Sequence, residues 1–234
     1  MHMGTVSAEL GLGGWPSLGE SLCVARELSL AGDTRQPVHL MHLSALESVE
    51  LLRRAQENGV AASGEVTPHH LCLTDEAVRS LDSNLKMNPP LRSEADRASL
   101  LEALRDGTIA AVATDHAPHS REEKEVPFEE APFGVTGLET AFAALYTNLV
   151  EPGLLELETL LERMSAGPAR IFGLERPRIA VGAPANFVLL NTKATWRVRE
   201  DRFRSLSANS WLLGKRLRGK VTLTVAAGRV AYEA

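Results

Sequence analysis

Cysteine is almost missing. Cys23 and Cys72 are the only two, and neither stands in a C-x-x-C pair, which excludes a disulfide framework and a thiolate metal site. Such usage points to a reducing, cytoplasmic setting. No apolar run approaches the ~20 residues of a membrane-spanning helix, and Met1-His2-Met3-Gly4-Thr5 has neither the basic start nor the apolar middle of a signal peptide. Dense Lys/Arg runs are absent as well. Lys215, Arg216, Arg218 and Lys220 form the one basic cluster, which reads as a solvated hairpin edge, and the net charge is −5. Nucleic acid and anionic membranes, which need clustered positive charge, are therefore poor partners. Neither an internal repeat nor a low-complexity tract is found. What is present is 234 residues, 44% of them hydrophobic, enough for a substantial core.

The chain alternates between helical and strand-like patterns. Ser17-Leu18-Gly19-Glu20 has the form of a capping box and opens a helix through Leu22, Val24 and Leu28 that stops at Gly32. Val38 to Leu43 reads as a buried strand. Ser44-Ala45-Leu46-Glu47 is a second capping box, before a helix that ends at Asn58-Gly59. Val60 to Val66 is the next strand, weakened by Gly64, and a helix is expected near Asp75 to Leu81. Lys86 to Arg92 is a rigid loop with two prolines. Ser93-Glu94-Ala95-Asp96 opens a helix stopped at Asp106-Gly107, and Ile109 to Val112 forms a third strand. Arg121 to Phe133 is charged and long enough to be a loop over the mouth of a site. Thr136 to Glu139 caps a helix to about Leu149, and two more helices follow to Phe172. After Gly173 the pattern is of strands, with a hairpin turning at Ala227-Gly228.

Six of the seven histidines lie where these strands end: His39 and His42, His69 and His70, His116 and His119. Successive strand–helix units with polar strand ends on one side imply an α/β fold whose parallel sheet gathers those ends at one face. Asp115, beside His116 and His119, is the residue type that holds a hydrolytic metal and moves protons next to it. His42 alone reads more readily as a hydrogen-bonded core histidine than as a ligand. His39 is expected on the opposite face from His42, because an i, i+3 spacing on a strand separates side chains. Asn88 alone reads as a loop cap beside its prolines.

Four ordered segments, Val38-His39-Leu40-Met41-His42-Leu43-Ser44, Glu65-Val66-Thr67-Pro68-His69-His70-Leu71, Lys86-Met87-Asn88-Pro89-Pro90-Leu91-Arg92 and Ala113-Thr114-Asp115-His116-Ala117-Pro118-His119, resemble consecutive motifs of the dihydroorotases of the amidohydrolase superfamily. The resemblance runs from about Gly11 to the C-terminus. It implies a zinc-dependent cyclic amidohydrolase that interconverts N-carbamoyl-L-aspartate and (S)-dihydroorotate in pyrimidine biosynthesis. It also implies that His42 is a zinc ligand from the sixth strand of a TIM barrel, and that Asp115, from the eighth, is both zinc ligand and catalytic proton shuttle. Asn88, His119 and the backbone at Phe133 and Gly134 would hold substrate. His69, His70 and His116 match the motifs and are assigned only packing or hydrogen bonding.

The same resemblance implies parts that are not found here: a His-x-His-x-Arg after a first strand, a bridging carboxylate from a fourth and a histidine from a fifth. The expected architecture is thus the last three strands and helices of a partial TIM barrel over residues 1–173, followed by a small β-sandwich-like region over 174–234. The complete enzyme would hold two zinc ions, and this chain only an incomplete ligand set. Three strands cannot close a barrel, so a sheet edge and an apolar inner face are expected to be exposed, and the chain alone is expected to be inactive or to need a partner. The alternatives are a non-catalytic scaffold for an aspartate carbamoyltransferase and an allantoinase- or hydantoinase-type enzyme acting on another cyclic ureide; the expected partners are a small-molecule substrate and, for assembly, a second copy of the chain or a carbamoyltransferase.

Overall fold

A computed structural model describes all residues 1–234. In chain order its elements are α1 (Thr5–Leu10), α2 (Ser17–Thr34), β1 (Val38–Leu40), α3 (Leu46–Glu57), β2 (Ala62–Val66), α4 (Pro68–Cys72), α5 (Glu94–Asp106), β3 (Ala111–Val112), α6 (Arg121–Lys124), α7 (Ala141–Leu145), α8 (Leu157–Met164), α9 (Ala166–Ile171), β4 (Phe187–Arg197), β5 (Arg216–Ala226) and β6 (Arg229–Glu233). Short 3-10 turns cover Asp75–Ser80 and Ser83–Leu85, and a π turn Tyr146–Val150 extends α7, so the single helix expected to Leu149 is divided. No helix is long and apolar enough to cross a membrane.

The fold is α/β. Strands β1, β2 and β3 lie in that order as a parallel sheet, with Leu40 opposite Gly64 and Val66 opposite Val112. One face of the sheet carries Leu40 and Val66 into the main core, together with Leu52 from α3, Leu104 from α5 and Leu160 from α8. Gly64 is required there. A Cβ at this position would stand 2.7 Å from Leu52 Cδ2 and 2.9 Å from Leu43 Cδ1, so the residue that weakens the strand by propensity is what lets α3 approach it. Gly167 does the same for α9, where a Cβ would come within 2.1 Å of the Ala110 carbonyl oxygen.

The other face is not apolar, contrary to expectation. It presents His39, Ser63 and Glu65, with the Phe172 ring edge-on to His39 at 5.4 Å. A polar interior of this kind belongs to a site rather than to a packed barrel core.

Helix α5 begins as its sequence predicts. Ser93 and Asp96 cap each other reciprocally, and Gly107 closes the helix at φ 94°. Helix α3 does not. Its first residue is Leu46, and neither Ser44 nor Ala45 caps it with a side chain. Glu20 of α2 instead accepts hydrogen bonds from the Ser44 and Ala45 amides, both at 3.0 Å, and Asp96 accepts from the Leu46 amide at 2.9 Å. The orphan amides of the helix start are satisfied by two carboxylates from neighbouring helices, and both anions favour the positive end of the dipole. Nor does Ser17 cap α2, which starts after Pro16; its hydroxyl donates to Glu47.

The C-terminal strands form one antiparallel sheet in the order β4-β5-β6, with Phe187 opposite Val225 and Arg197 opposite Arg216. There is one sheet here, not the two of a sandwich. Ala227 and Gly228, at φ 48° and 76°, form the two-residue turn between β5 and β6. Val198, Leu212 and Leu217 pack against Ala143 and Ala144 of α7, joining this sheet to the rest. Of the basic cluster, Arg218 on the central strand pairs with Glu151.

Candidate metal and catalytic site

β1 ends at Leu40, and two residues later His42 turns into the left-handed region at φ 54°. Asp115, three residues beyond β3, does the same at φ 46°. For residues other than glycine this backbone costs on the order of 1–3 kcal/mol, and it persists where the surroundings impose it. The two turns bring His42 Nε2 to 3.7 Å from Asp115 Oδ1 across the top of β2. Glu65, 6% exposed within β2, stands beneath them. Its Oε1 is 3.0 Å from His42 Nδ1 and its Oε2 is 3.1 Å from His39 Nε2, while His39 Nδ1 lies 2.8 Å from Ser63 Oγ. His39 and His42 therefore converge on one carboxylate. The rule of opposite faces fails because the strand stops before His42.

The Glu65–His42 contact is an ion pair by distance, yet the ring N–H misses the alignment of a hydrogen bond, so buried Nδ1 has no other polar partner. Burial alone would raise the Glu65 carboxyl, but the contacts from His39 and His42 outweigh it and hold it at about 2. Glu65 in turn raises the His42 imidazole above its usual value against the opposing effect of burial, and Asp115 adds to the rise.

The pair fits a metal. Ligands held at ~2.0–2.2 Å around a tetrahedral zinc stand roughly 3.4 Å from each other, close to the observed spacing. His42 turns its other nitrogen toward a carboxylate, as metal-bound histidines do. Nowhere in the chain, however, do three or more His, Cys, Asp or Glu side chains converge as a metal site.

His70 is buried, with Nε2 donating to the Pro89 carbonyl at 3.0 Å and Nδ1 accepting from the Thr67 hydroxyl at 2.8 Å. It ties the Asn88–Pro89 loop to α4, and burial pushes its pKa down to about 4. His69 is buried beside it and lies well below the ordinary histidine range for the same reason. His116 accepts the Gly137 amide at Nδ1, 3.1 Å, and meets the Ser205 hydroxyl through Nε2, 3.2 Å. These three histidines hold structure.

His119 lies apart from the His42–Asp115 pair. Its Nε2 donates to the Phe133 carbonyl at 2.9 Å, and its Nδ1 is 3.6 Å from Glu123. The Gly134 amide donates to the Lys86 carbonyl at 2.8 Å, and a Cβ on Gly134 would meet Ala117 Cβ at 2.5 Å. Asn88 is exposed, and no hydrogen bond or ion pair joins it or His119 to Asp115. The 133–134 turn is instead clasped from two sides. Lys124, whose burial lowers its pKa to about 8, donates to the Pro132 and Gly134 carbonyls at 3.0 and 3.1 Å. Asn209 accepts the His119 amide at 3.0 Å and donates to the Ala117 and Gly134 carbonyls at 3.0 and 3.3 Å. A cleft of about 560 Å³ opens on this side, lined by His119, Lys124 and Asn209 among others, and includes neither His42 nor Asp115.

A metal-capable histidine and aspartate at the ends of parallel strands is a pattern of barrel hydrolases, and the sequence model of one such family matches residues 18–230. The chain belongs to the amidohydrolase family. This amidohydrolase chain is 44% identical over 233 residues to a dihydroorotase of Caldanaerobacter subterraneus and 46% identical over 234 to one of Brevibacillus brevis; all of it aligns, to 54% and 55% of those proteins. It thus spans about half the length of the curated relatives it matches. Among solved structures it resembles an L-hydantoinase (dihydropyrimidinase) from Arthrobacter aurescens, with TM-score 0.88 and 31% identity over 93% of this chain and 49% of that one. A D-hydantoinase from Thermus sp. shares the fold, with TM-score 0.82 and 24% identity over 92% and 48%.

Reading the amidohydrolase sequence alone misses Glu65, Lys124 and Asn209. Glu65 carried a usable signal, since a carboxylate inside a short buried strand demands a partner. Asn209 carried none, because its contacts with His119, Ala117 and Gly134 lie 75 to 92 residues away.

Proposed function

We propose that this chain carries one side of a dihydroorotase site, on the last three strands of a partial TIM barrel, with the division between barrel and β region near Gly173. The observation that carries the proposal is the 3.7 Å approach of His42 Nε2 and Asp115 Oδ1, set within four motifs in dihydroorotase order. His42 and Asp115 would hold zinc, which when bound polarises a ring amide carbonyl and lowers the pKa of attacking water. Asp115 takes the water's proton and returns it to the leaving ring nitrogen as the C–N bond breaks. N-carbamoyl-L-aspartate is the product of ring opening, and ring closure runs the same transfers in reverse. Asn88 would meet the ring amide, and His119 and the backbone at Phe133 and Gly134 the substrate carboxylate, once the loops that carry them face the pair.

With two convergent ligands, the 234-residue chain alone is expected to bind zinc weakly and to show no ring opening. Further strands and ligands beyond these 234 residues would complete the site. Metal analysis and a dihydroorotate ring-opening assay on the purified chain test this. Tightly bound stoichiometric zinc with full activity would overturn the incomplete-site reading. Likeness to the L-hydantoinase at 31% identity favours, as second reading, activity toward another cyclic ureide. A panel of hydantoin, dihydropyrimidine and dihydroorotate on the completed site separates the two.

A further inference from the structure

We propose that Glu65 is the positioning residue for His42: its carboxylate fixes which ring nitrogen carries the proton and so aims the unprotonated Nε2 at Asp115. This rests on the metal reading only in what Nε2 is aimed at, since the positioning itself is a property of the metal-free chain.

Four observations support it. His42 Nδ1 is buried, and Glu65 Oε1 at 3.0 Å is the only polar group offered to it. Glu65 cannot swing away, because its second oxygen is held by His39 Nε2 at 3.1 Å, and that ring is anchored in turn by Ser63 at 2.8 Å. Glu65 is buried, its side chain 8% exposed, which limits the access of water to the carboxylate. His42 itself lies beyond the last paired residue of β1, Leu40, in a left-handed turn at φ 54°. A carboxylate oxygen 3.0 Å from Nδ1 favours the proton on that nitrogen by its charge and leaves the Nε2 lone pair free, since what faces one ring nitrogen decides the state of the other. His39 belongs to the same device as a brace, which explains a histidine that the proposed chemistry does not use.

The test is nitrogen-15 NMR of the His42 ring in the purified chain, above the pH at which the ring titrates, with a Co²⁺ titration followed by broadening at residues 42 and 115. The wild-type ring is expected as the Nδ1–H form. Glu65→Ala should move it to the Nε2–H form and weaken Co²⁺ binding roughly 10- to 100-fold. Glu65→Met, which keeps the volume of the side chain, reads the same if the alanine variant fails to fold. Glu65→Gln, which retains an acceptor oxygen, should keep the wild-type form, and His39→Ala, which removes only the brace, should shift it less than Glu65→Ala. An unchanged ring in a folded Glu65→Ala or Glu65→Met protein overturns the proposal. So does an equal shift in His39→Ala, because the orientation would then come from packing of the cluster. If the ring switches as described while wild type shows no Co²⁺ broadening, the positioning role stands and the metal reading fails.

Discussion

Replacing Glu20 by alanine is expected to destabilise the chain more than any other single change in the first helices. The carboxylate caps α3 through the amides of Ser44 and Ala45, both at 3.0 Å, accepts the Ser44 hydroxyl, and stands 3.4 Å from Arg92, which is 4% exposed. Its removal leaves two helix-start amides unpartnered and strips a buried guanidinium of its only anion. Breaking a buried pair from one side costs about 3–5 kcal/mol, and Glu20→Gln, which keeps one acceptor, about 1.5–3 kcal/mol. Arg92→Leu in the Glu20→Ala background should recover part of the loss, because the uncompensated charge is gone. Burial pushes the Glu20 carboxyl up and its hydrogen bonds more than reverse this, leaving it below the ordinary glutamate value. The unfolded chain therefore takes up this proton first as the pH falls. The Glu20 contribution is complete above about pH 4.5 and lost below it. Urea unfolding at pH 7 and at pH 4 measures both effects. A Glu20→Ala loss under about 1 kcal/mol at pH 7, with an unchanged denaturant slope, would refute the account of this cap.

Three further outcomes are expected. His70 is held neutral down to about 4 by burial, beside His69, His42, Glu20 and Arg92; the unfolded histidine binds its proton near 6.5, so stability falls between pH 6.5 and 4 by roughly 3 kcal/mol, and His70→Gln should remove that slope from a pH series of urea midpoints. Gly64→Ala forces a methyl to within 2.7 Å of Leu52 and should cost about 1–3 kcal/mol by thermal unfolding; a neutral result would mean that α3 is not held against β2. Asn209→Ala should raise hydrogen exchange at the His119 and Gly134 amides far more than in α5, and uniform protection would deny the clasp.

The parallel sheet was legible because its short strands alternate with helices and end in polar residues, and α5 because its cap and its stop are both local. Helix boundaries were misread where the cap came from elsewhere. Ser44 and Glu47 have capping-box spacing, but Glu20 takes the Ser44 and Ala45 amides and the serine hydroxyl, while Glu47 accepts the Ser17 hydroxyl. Periodicity could not show that β1 ends before His42, so the convergence of His39 on Glu65 was hidden. Asp115 and His42 were singled out through the ordered motifs, and two left-handed residues place them 3.7 Å apart. His119, Asn88 and Gly134 were found in the same way but lie apart from that pair, since motif order does not fix loop orientation.

Because the start of α3 is completed by Asp96, fifty residues further on, this twelve-residue helix cannot become stable as soon as it leaves the ribosome. Helices of that length are marginal alone, and the loop bearing His42 runs directly into it. The turn that aims His42 thus runs into a helix whose first amide finds its acceptor only when α5 has docked, which couples the His42 side of the site to the helix that leads into the third strand.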